Sequence, residues 1–284
     1  MKVNWLVEDG PWSSDQTSTI IDEIVKQGHS VEVIKYKPFG ATVLDQFSEN
    51  SCTIAVGSIN LIRQVQKSKR WYPAAFANWD NFKCSTYYSY YGKYLLNYDY
   101  LMMPLAELSR RWAELQQHFG KEELFVRPDN GTKGFTGQTS IDGKFKDFGK
   151  PETLCVVASA KRVSREYRVF CDKNGPFAGS MYRNADGNIE YFDIYKDQYD
   201  ENCFSNQVIE YCKQICNEVE WTPDKLFALD IGGIEDYDND RYDWGLLELT
   251  AYSCAGWYSA NIADMIRYGT EAAIADYREV FEGN

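Results

Sequence analysis

The hairpin that decides the fold of this chain is residues 164–183, SREYRVFCDKNGPFAGSMYR. Side chains alternate along an extended strand, so Glu166, Arg168 and Phe170 are predicted to share one face of the first strand. The turn signal DKNG returns the chain and brings Arg183 near Arg168 on the neighbouring strand. Two adjacent arginines repel each other unless negative charge lies between them. Glu166 or another carboxylate accounts for one arginine, whereas an anion that matches the guanidinium fork accounts for both.

A glycine-rich stretch lies upstream, at residues 124–138, LFVRPDNGTKGFTGQ. An apolar run ends in Arg127 and a proline, and glycines then recur at every third position around Lys133. These positions are Gly131, Gly134 and Gly137. The stretch is not a Walker A loop, because no GxxxxGK[ST] occurs in the chain. Backbone N–H groups of such a turn can surround an anion, but the stretch alone is equally compatible with a mobile surface hairpin.

Two acidic residues interrupt apolar strands near the C-terminus. Asp230 lies in KLFALDIGG (225–233) and Glu248 lies in WGLLELT (244–250). A carboxylate in an apolar strand is costly unless it is paired or binds a metal. Two carboxylates on adjacent strands suit Mg²⁺, which prefers oxygen ligands and shares its coordination shell with phosphates. The alternative is that both lie at strand ends and reach solvent.

The rest of the chain predicts a mixture of helices and strands. Strands are predicted at 2–8, 30–36 and 52–58, and helices at 13–28 and 59–68. Together they predict a small α/β unit, and the absence of GxGxxG after the first strand argues against a dinucleotide site. Further helices are predicted at 105–120, 205–219 and about 260–281, whereas the tyrosine-rich segment 85–105 gives no clear period.

Composition narrows the class of protein. The chain has 284 residues, 44% of them hydrophobic, and a net charge of −12, which predicts a globular protein and argues against a general nucleic-acid binder. A local basic groove remains possible. The sequence shows no signal peptide and no stretch long enough to span a membrane. Its eight cysteines form no CxxC pair, so a cytoplasmic protein with reduced thiols is expected.

Taken in order, these features resemble the ATP-grasp superfamily over roughly residues 120–262. A basic residue and proline on a strand precede a glycine-rich loop, an apolar strand ending in a hinge (CVVASAK), the Glu-x-Arg hairpin and two carboxylate-bearing strands. The hairpin is similar to that of ATP-grasp ligases that add glutamate to amines. A phage-associated subgroup with arginine in place of the usual strand lysine is most similar, which implies a phage-encoded protein acting in the host cytoplasm.

The resemblance implies an α+β fold in which two subdomains clasp ATP. The ATP-grasp domain is expected at 116–284 and a small N-terminal α/β domain at 1–115. It implies ATP and Mg²⁺ as cofactors and assigns roles to ten positions. The ATP-binding residues are Arg127, Gly131, Lys133, Gly134, Ser159 and Lys161; the catalytic residues are Arg168 and Arg183; the metal ligands are Asp230 and Glu248.

The activity that the resemblance implies is a ligase that works through an acyl-phosphate. Its partners would be a small-molecule or peptide carboxylate and an amine or other nucleophile, with no membrane. Two departures from the family pattern are Thr250, where a further asparagine ligand is usual, and Ser159, where a hinge glutamate is usual. Thr250 keeps open a catalytically silent nucleotide-binding module, and a small-molecule kinase is a further alternative.

Overall fold

The computed structural model describes residues 1–37, 44–131, 134–145, 150–184, 186, 188–196, 204–236 and 241–283. Lys133, one of the predicted ATP contacts, lies outside these ranges. Within them the strands form three sheets. No helix of the described residues is long and apolar enough to cross a bilayer.

The first sheet is the predicted N-terminal α/β unit. Its strands are β1 (Asn4–Glu8), β2 (Ser30–Ile34), β3 (Cys52–Val56) and β4 (Tyr72–Ala74), all parallel in the order β2-β1-β3-β4. The helices are α1 (Ser14–Lys26) and α2 (Ile59–Ser68). Each begins after a serine whose side chain accepts a backbone N–H of the first turn, Ser13 from Gln16 and Ser58 from Leu61, which explains where both helices start.

The tyrosine-rich segment, which the sequence left unassigned, forms helix α3 (Cys84–Tyr91) and a short 3₁₀ turn (Gly92–Tyr94). Tyr87, Tyr91 and Tyr94 are buried and belong to the same hydrophobic core as Tyr167 and Val169. Their rings supply core packing, and the hydroxyl of Tyr91 donates to the carbonyl of Trp221.

The second sheet contains β5 (Leu101–Pro104), β6 (Leu124–Pro128), β7 (Gln138–Ser140) and β8 (Leu154–Ser159), antiparallel in the order β5-β8-β6-β7. The helix predicted over 105–120 is divided at Arg111 into α4 (Leu105–Arg110) and α5 (Trp112–Phe119). Leu108 and Trp112 of these helices pack on the sheet. Because β5 pairs with β8, this strand belongs to the second sheet although it precedes residue 115. The domain boundary at residue 115 remains a prediction.

The third sheet contains β9 (Arg165–Asp172), β10 (Gly175–Arg183), β11 (Phe192–Asp193), β12 (Phe227–Asp236) and β13 (Arg241–Ala251). The order is β11-β10-β9-β12-β13, antiparallel throughout. Helices α6 (Phe204–Glu218) and α7 (Ile262–Phe281) complete the unit. The predicted hairpin is thus β9 and β10, and its first strand is the centre of the sheet. Arg168 on β9 therefore has Ser180 on one side and Asp230 on the other.

Candidate active site

A cleft of about 630 Å³ opens between the second and third sheets. One wall is β6 with the glycine-rich loop that follows it, and the other is formed by the β9–β10 hairpin and β13. Four residues predicted from the sequence line it: Arg127, Lys161, Arg183 and Glu248. These three cations and this carboxylate come from four separate parts of the chain and meet in one cavity, which Arg162 and Glu166 also line.

Arg127 reaches across the cleft from β6 to β13. Its Nη2–H donates to Glu248 Oε2 at 2.6 Å, and its Nη1–H donates to the carbonyl of Leu247 at 3.0 Å. The two charged side chains are 13% and 18% exposed, so water screens the pair only partly. Burial opposes the charge of Arg127, but Tyr87, Cys84 and Glu248 together raise its pKa well above the ordinary value.

Arg183 and Glu166 form a second pair in the cleft, as the hairpin register places them opposite each other. Arg183 Nη1 lies 2.6 Å from Glu166 Oε1, with Arg183 46% and Glu166 14% exposed. The hydroxyl of Tyr182 donates to the other oxygen of Glu166 at 2.7 Å. Burial, followed by Asp230 and Glu166, raises the pKa of Tyr182 well above its ordinary value, so this phenol keeps its proton.

Arg168 and Asp230 form a third pair, which is buried between the neighbouring strands β9 and β12. Arg168 donates from Nε to Oδ1 and from Nη2 to Oδ2, both at 2.7 Å. Neither residue lines the cavity. The hydroxyl of Thr250 also donates to Asp230 Oδ2, at 3.2 Å. A phosphate contact by Arg168 and a metal contact by Asp230 remain predictions.

Each of the two hairpin arginines has its own carboxylate partner, which is the alternative to an anion shared between them. Asp230 neutralises Arg168 and Glu166 neutralises Arg183. The first partner was missed because it stands 62 residues away on β12, a strand whose pairing with β9 cannot be read from local sequence.

The hinge after β8 carries a network that the sequence did not indicate. Lys161 Nζ lies 2.6 Å from Asp99 Oδ1 and 3.0 Å from the hydroxyl of Ser159. Ser159 in turn donates to the other oxygen of Asp99. Ser159 is buried and does not line the cavity, whereas Lys161 does. Asp99 belongs to the tyrosine-rich segment, where no period or motif marked it.

The glycine-rich loop packs closely at two of its three glycines. A Cβ atom on Gly131 would stand 2.7 Å from Cβ of Phe82, and one on Gly137 would stand 3.0 Å from Cζ of Phe125. Gly134 has more room, and its N–H is bonded to Asn130 Oδ1 at 3.2 Å. Of the three, Gly137 lines the cavity. The proposed ATP contacts of Gly131 and Gly134 remain predictions.

The donor set fits a magnesium ion that arrives with a nucleotide. The described residues contain no group of three or more His, Cys, Asp or Glu side chains able to hold a metal. Mg²⁺ commonly binds one or two carboxylates together with substrate phosphates. Glu248 faces the cleft and can serve in this way, whereas both oxygens of Asp230 are bonded to Arg168.

No family model matches the sequence, and no curated protein matches it. Solved structures do match. N5-carboxyaminoimidazole synthase from Aspergillus clavatus, in complex with ADP and 5-aminoimidazole ribonucleotide, superposes with a TM-score of 0.58 at 9% identity, over 94% of this chain and 76% of that one. A RimK domain ATP-grasp protein from Sphaerobacter thermophilus gives 0.53 at 10% identity, over 98% and 97%.

A third match is the ATP-grasp ligase PsnB complexed with a phosphomimetic variant of its minimal precursor, Mg and ADP. Its TM-score is 0.51 at 14% identity, over 97% of this chain and 99% of that one. These superpositions span nearly the whole chain. The protein therefore has the ATP-grasp fold, of α+β class, with a small α/β unit at its N-terminus. The phage-associated subgroup remains a prediction.

Proposed function

We propose that this chain is an ATP-dependent ligase that joins a carboxylate to an amine or similar nucleophile through an acyl-phosphate, with Mg²⁺ accompanying the nucleotide. The observation that carries the proposal is the meeting of Arg127, Lys161 and Arg183 in one cleft that Glu248 also lines. Arginine forks match phosphate oxygens, and a carboxylate suits the accompanying metal. The ATP-grasp fold, found in the ligase PsnB among other solved structures, supports the class of reaction.

In this proposal ATP lies in the cleft with its triphosphate toward β6. Arg127 contacts the α- and β-phosphates, and the glycine-rich loop covers them. The backbone from Val157 to Lys161 faces adenine, and the Lys161 ammonium, oriented by Asp99 and Ser159, reaches the ribose or a phosphate. Glu248 holds the magnesium ion, which when bound neutralises charge on the phosphates.

The first chemical step is transfer of the γ-phosphoryl group. A carboxylate oxygen of the acid substrate attacks the γ-phosphorus, and the bond to the ADP oxygen breaks. Arg183, 46% exposed at the cleft, exchanges Glu166 for the transferring group and offsets its negative charge. The protein mainly positions the reactants and neutralises charge, as in phosphoryl transfer generally.

The second step forms the product. The lone pair of the amine attacks the acyl carbon, the bond from that carbon to the phosphate oxygen breaks, and inorganic phosphate leaves while the nitrogen loses a proton. The acid and the amine are each proposed to be a small molecule or a peptide. Within the described residues no side chain is assigned as the base that takes the proton.

A second candidate is a nucleotide-binding module without turnover. It is favoured by Thr250, which stands where the family usually has a metal-binding asparagine and whose hydroxyl is bonded to Asp230. This module would bind MgATP in the same cleft and release no ADP.

The two candidates are separated by trapping the intermediate. The protein is incubated with MgATP, a pool of carboxylic acids and hydroxylamine, which converts any acyl-phosphate to a hydroxamate without knowledge of the natural amine. A ligase yields equal amounts of ADP and hydroxamate, and ¹⁸O in the carboxylate appears in the phosphate. MgATP binding by calorimetry without ADP across the pool would favour the module, and a stable phosphorylated product would indicate a kinase.

A further inference from the structure

We infer that Glu248 occupies Arg127 in the nucleotide-free protein and thereby competes with the nucleotide's phosphates, and that Mg²⁺ relieves the competition by taking Glu248. The inference rests on the proposed function, because it concerns the same cleft. It goes beyond the proposed function, because it explains through the Arg127–Glu248 ion pair why Mg²⁺ and the nucleotide bind together.

The contacts of Arg127 with β13 use the same guanidinium that a phosphate would bind. Glu248 accepts from Nη2 of Arg127 at 2.6 Å, and the Leu247 carbonyl accepts from Nη1 at 3.0 Å. Both contacts come from β13, so that strand holds the guanidinium from one side. With the pair 13% and 18% exposed, its hydrogen bonds are stronger than those of a fully solvated pair.

A nucleotide without Mg²⁺ has two ways to bind beside Arg127, and both are unfavourable. Its phosphates either displace Glu248 and leave a carboxylate without its cation, or remain beside that carboxylate and are repelled. When Mg²⁺ arrives with the nucleotide, the phosphates take Arg127 and Glu248 becomes a metal ligand. Each charge then keeps an opposite charge, so the exchange leaves neither group unpaired.

The neighbouring pairs differ in ways that confine the exchange to Arg127 and Glu248. Arg168 and Asp230 are 7% and 1% exposed, joined by two hydrogen bonds, and outside the cavity. Arg183 is 46% exposed beside Glu166, so water weakens that contact. Lys161 lines the cavity but its partner Asp99 does not. Of these four pairs, Arg127–Glu248 alone has both partners in the cavity lining and little exposure of either.

The test measures binding rather than turnover. Affinity for ADP in EDTA is measured by calorimetry for the wild type and for Glu248→Gln. ADP is the probe because it lacks the γ-phosphate that Arg183 is proposed to contact. Removal of the competing charge should tighten metal-free ADP about tenfold or more, as expected for one charge-assisted hydrogen bond. The increase in ADP affinity on adding Mg²⁺ should shrink in the variant.

Glu166→Gln is the matched control, because it removes one negative charge from the same cleft without touching Arg127. Comparable tightening in that variant would show a general charge effect and overturn the inference. Equal metal-free affinities of the wild type and Glu248→Gln would also overturn it. Tightening must further depend on Arg127, so it should disappear when Glu248→Gln is combined with Arg127→Met.

The reciprocal experiment decides the matter if Glu248→Gln does not fold. Arg127→Met removes the arginine charge beside Glu248, so Mn²⁺ without nucleotide, followed by electron paramagnetic resonance, should bind more tightly to this variant than to the wild type. No gain would contradict the inference. The proposed function fails separately, if the wild type binds no MgADP at all, and the inference falls with it. Normal MgADP binding without the predicted changes in the variants overturns the inference alone.

Discussion

Arg168 and Asp230 face each other across β9 and β12, joined by two hydrogen bonds of 2.7 Å, with their side chains 7% and 1% exposed. The contact is absent from the lining of the cleft and joins β9, the central strand of the third sheet, to β12. Burial disfavours the charge of Arg168, but Asp230 more than compensates and raises the pKa of Arg168 well above its ordinary value. Arg168 therefore keeps its charge, and the first effect of the pair is on stability.

The buried pair predicts a non-additive loss of stability. Arg168→Met and Asp230→Leu should each lower the free energy of unfolding by roughly 3–5 kcal/mol, because each leaves an uncompensated buried partner. The double variant Arg168→Met with Asp230→Leu should lose much less than the sum. Urea denaturation measures all three. Losses below about 1 kcal/mol in the single variants would mean that water reaches the pair.

Substitution of Arg127 and substitution of Arg183 are expected to impair different steps, nucleotide binding and ADP production. Arg127→Ala should raise the Kd for MgADP about 10–100-fold, the range expected for the loss of charge-assisted hydrogen bonds to phosphate. Arg183→Ala should leave MgADP binding nearly unchanged and lower ADP production in the trapping assay. Calorimetry and the assay together check this. Equal effects of both substitutions on MgADP affinity would argue against separate positions along the triphosphate.

The glycine-rich loop offers a matched pair of substitutions. Gly131→Ala places a Cβ atom 2.7 Å from Cβ of Phe82 and 3.0 Å from its carbonyl oxygen, whereas the nearest atom for Gly134→Ala is Asn130 Nδ2 at 3.5 Å. Gly131→Ala should cost about 1–3 kcal/mol through overpacking and weaken MgATP binding by moving the loop, while Gly134→Ala should be tolerated. Thermal unfolding and calorimetry report both effects. The opposite ranking would place the tight contact elsewhere.

Asp224 predicts a loss of stability as the pH rises from about 4 to about 6. Burial raises its pKa from 3.8 to about 6, although the backbone N–H groups of Lys225 and Asn78 favour its charge. A raised pKa means that the folded protein holds the proton more tightly than the unfolded chain. The contribution is therefore complete below pH 4 and is lost as the pH rises to about 6, by at most roughly 3 kcal/mol.

The substitution Asp224→Asn removes this ionisation. The difference in unfolding free energy between wild type and variant should change between pH 4 and 6 and become constant above that interval. Urea denaturation at a series of pH values measures it. Asp276 also has a raised pKa, caused first by burial, and its charge contributes to the raised pKa of Asp224, so the comparison includes the coupling between the two carboxylates. Parallel curves from pH 4 to 7 would exclude the ionisation of Asp224 as the cause.

The fold could largely be predicted from sequence because its strands and turns carry local signals. The β9–β10 hairpin follows from alternation and from the DKNG turn, and it places Arg183 opposite Glu166. The cleft residues on β6 and β13 were found in the same way, each as a charged residue inside an apolar strand.

The partners of those charges could not be predicted, since pairing between distant strands leaves no local pattern. Arg127 and Glu248 are 121 residues apart, and Lys161 and Asp99 are 62 apart. The burial of each arginine could not be predicted either. Arg168 and Arg183 lie in similar sequence contexts, but Arg168 is buried and does not line the cleft, whereas Arg183 is exposed and does. Burial depends on the whole packed body and not on a single strand.

Strand β5 restricts where this chain can be joined to another protein of the same fold in a chimera. Residues 101–104 complete the edge of the second sheet by pairing with β8, although they precede the glycine-rich loop by more than twenty positions. A chimera joined at residue 115 would import a foreign edge strand, whereas one joined before Cys84 would keep both β5 and the buried tyrosines of α3 with their native neighbours. A chimera with a protein of the same fold is therefore expected to fold only with the earlier junction.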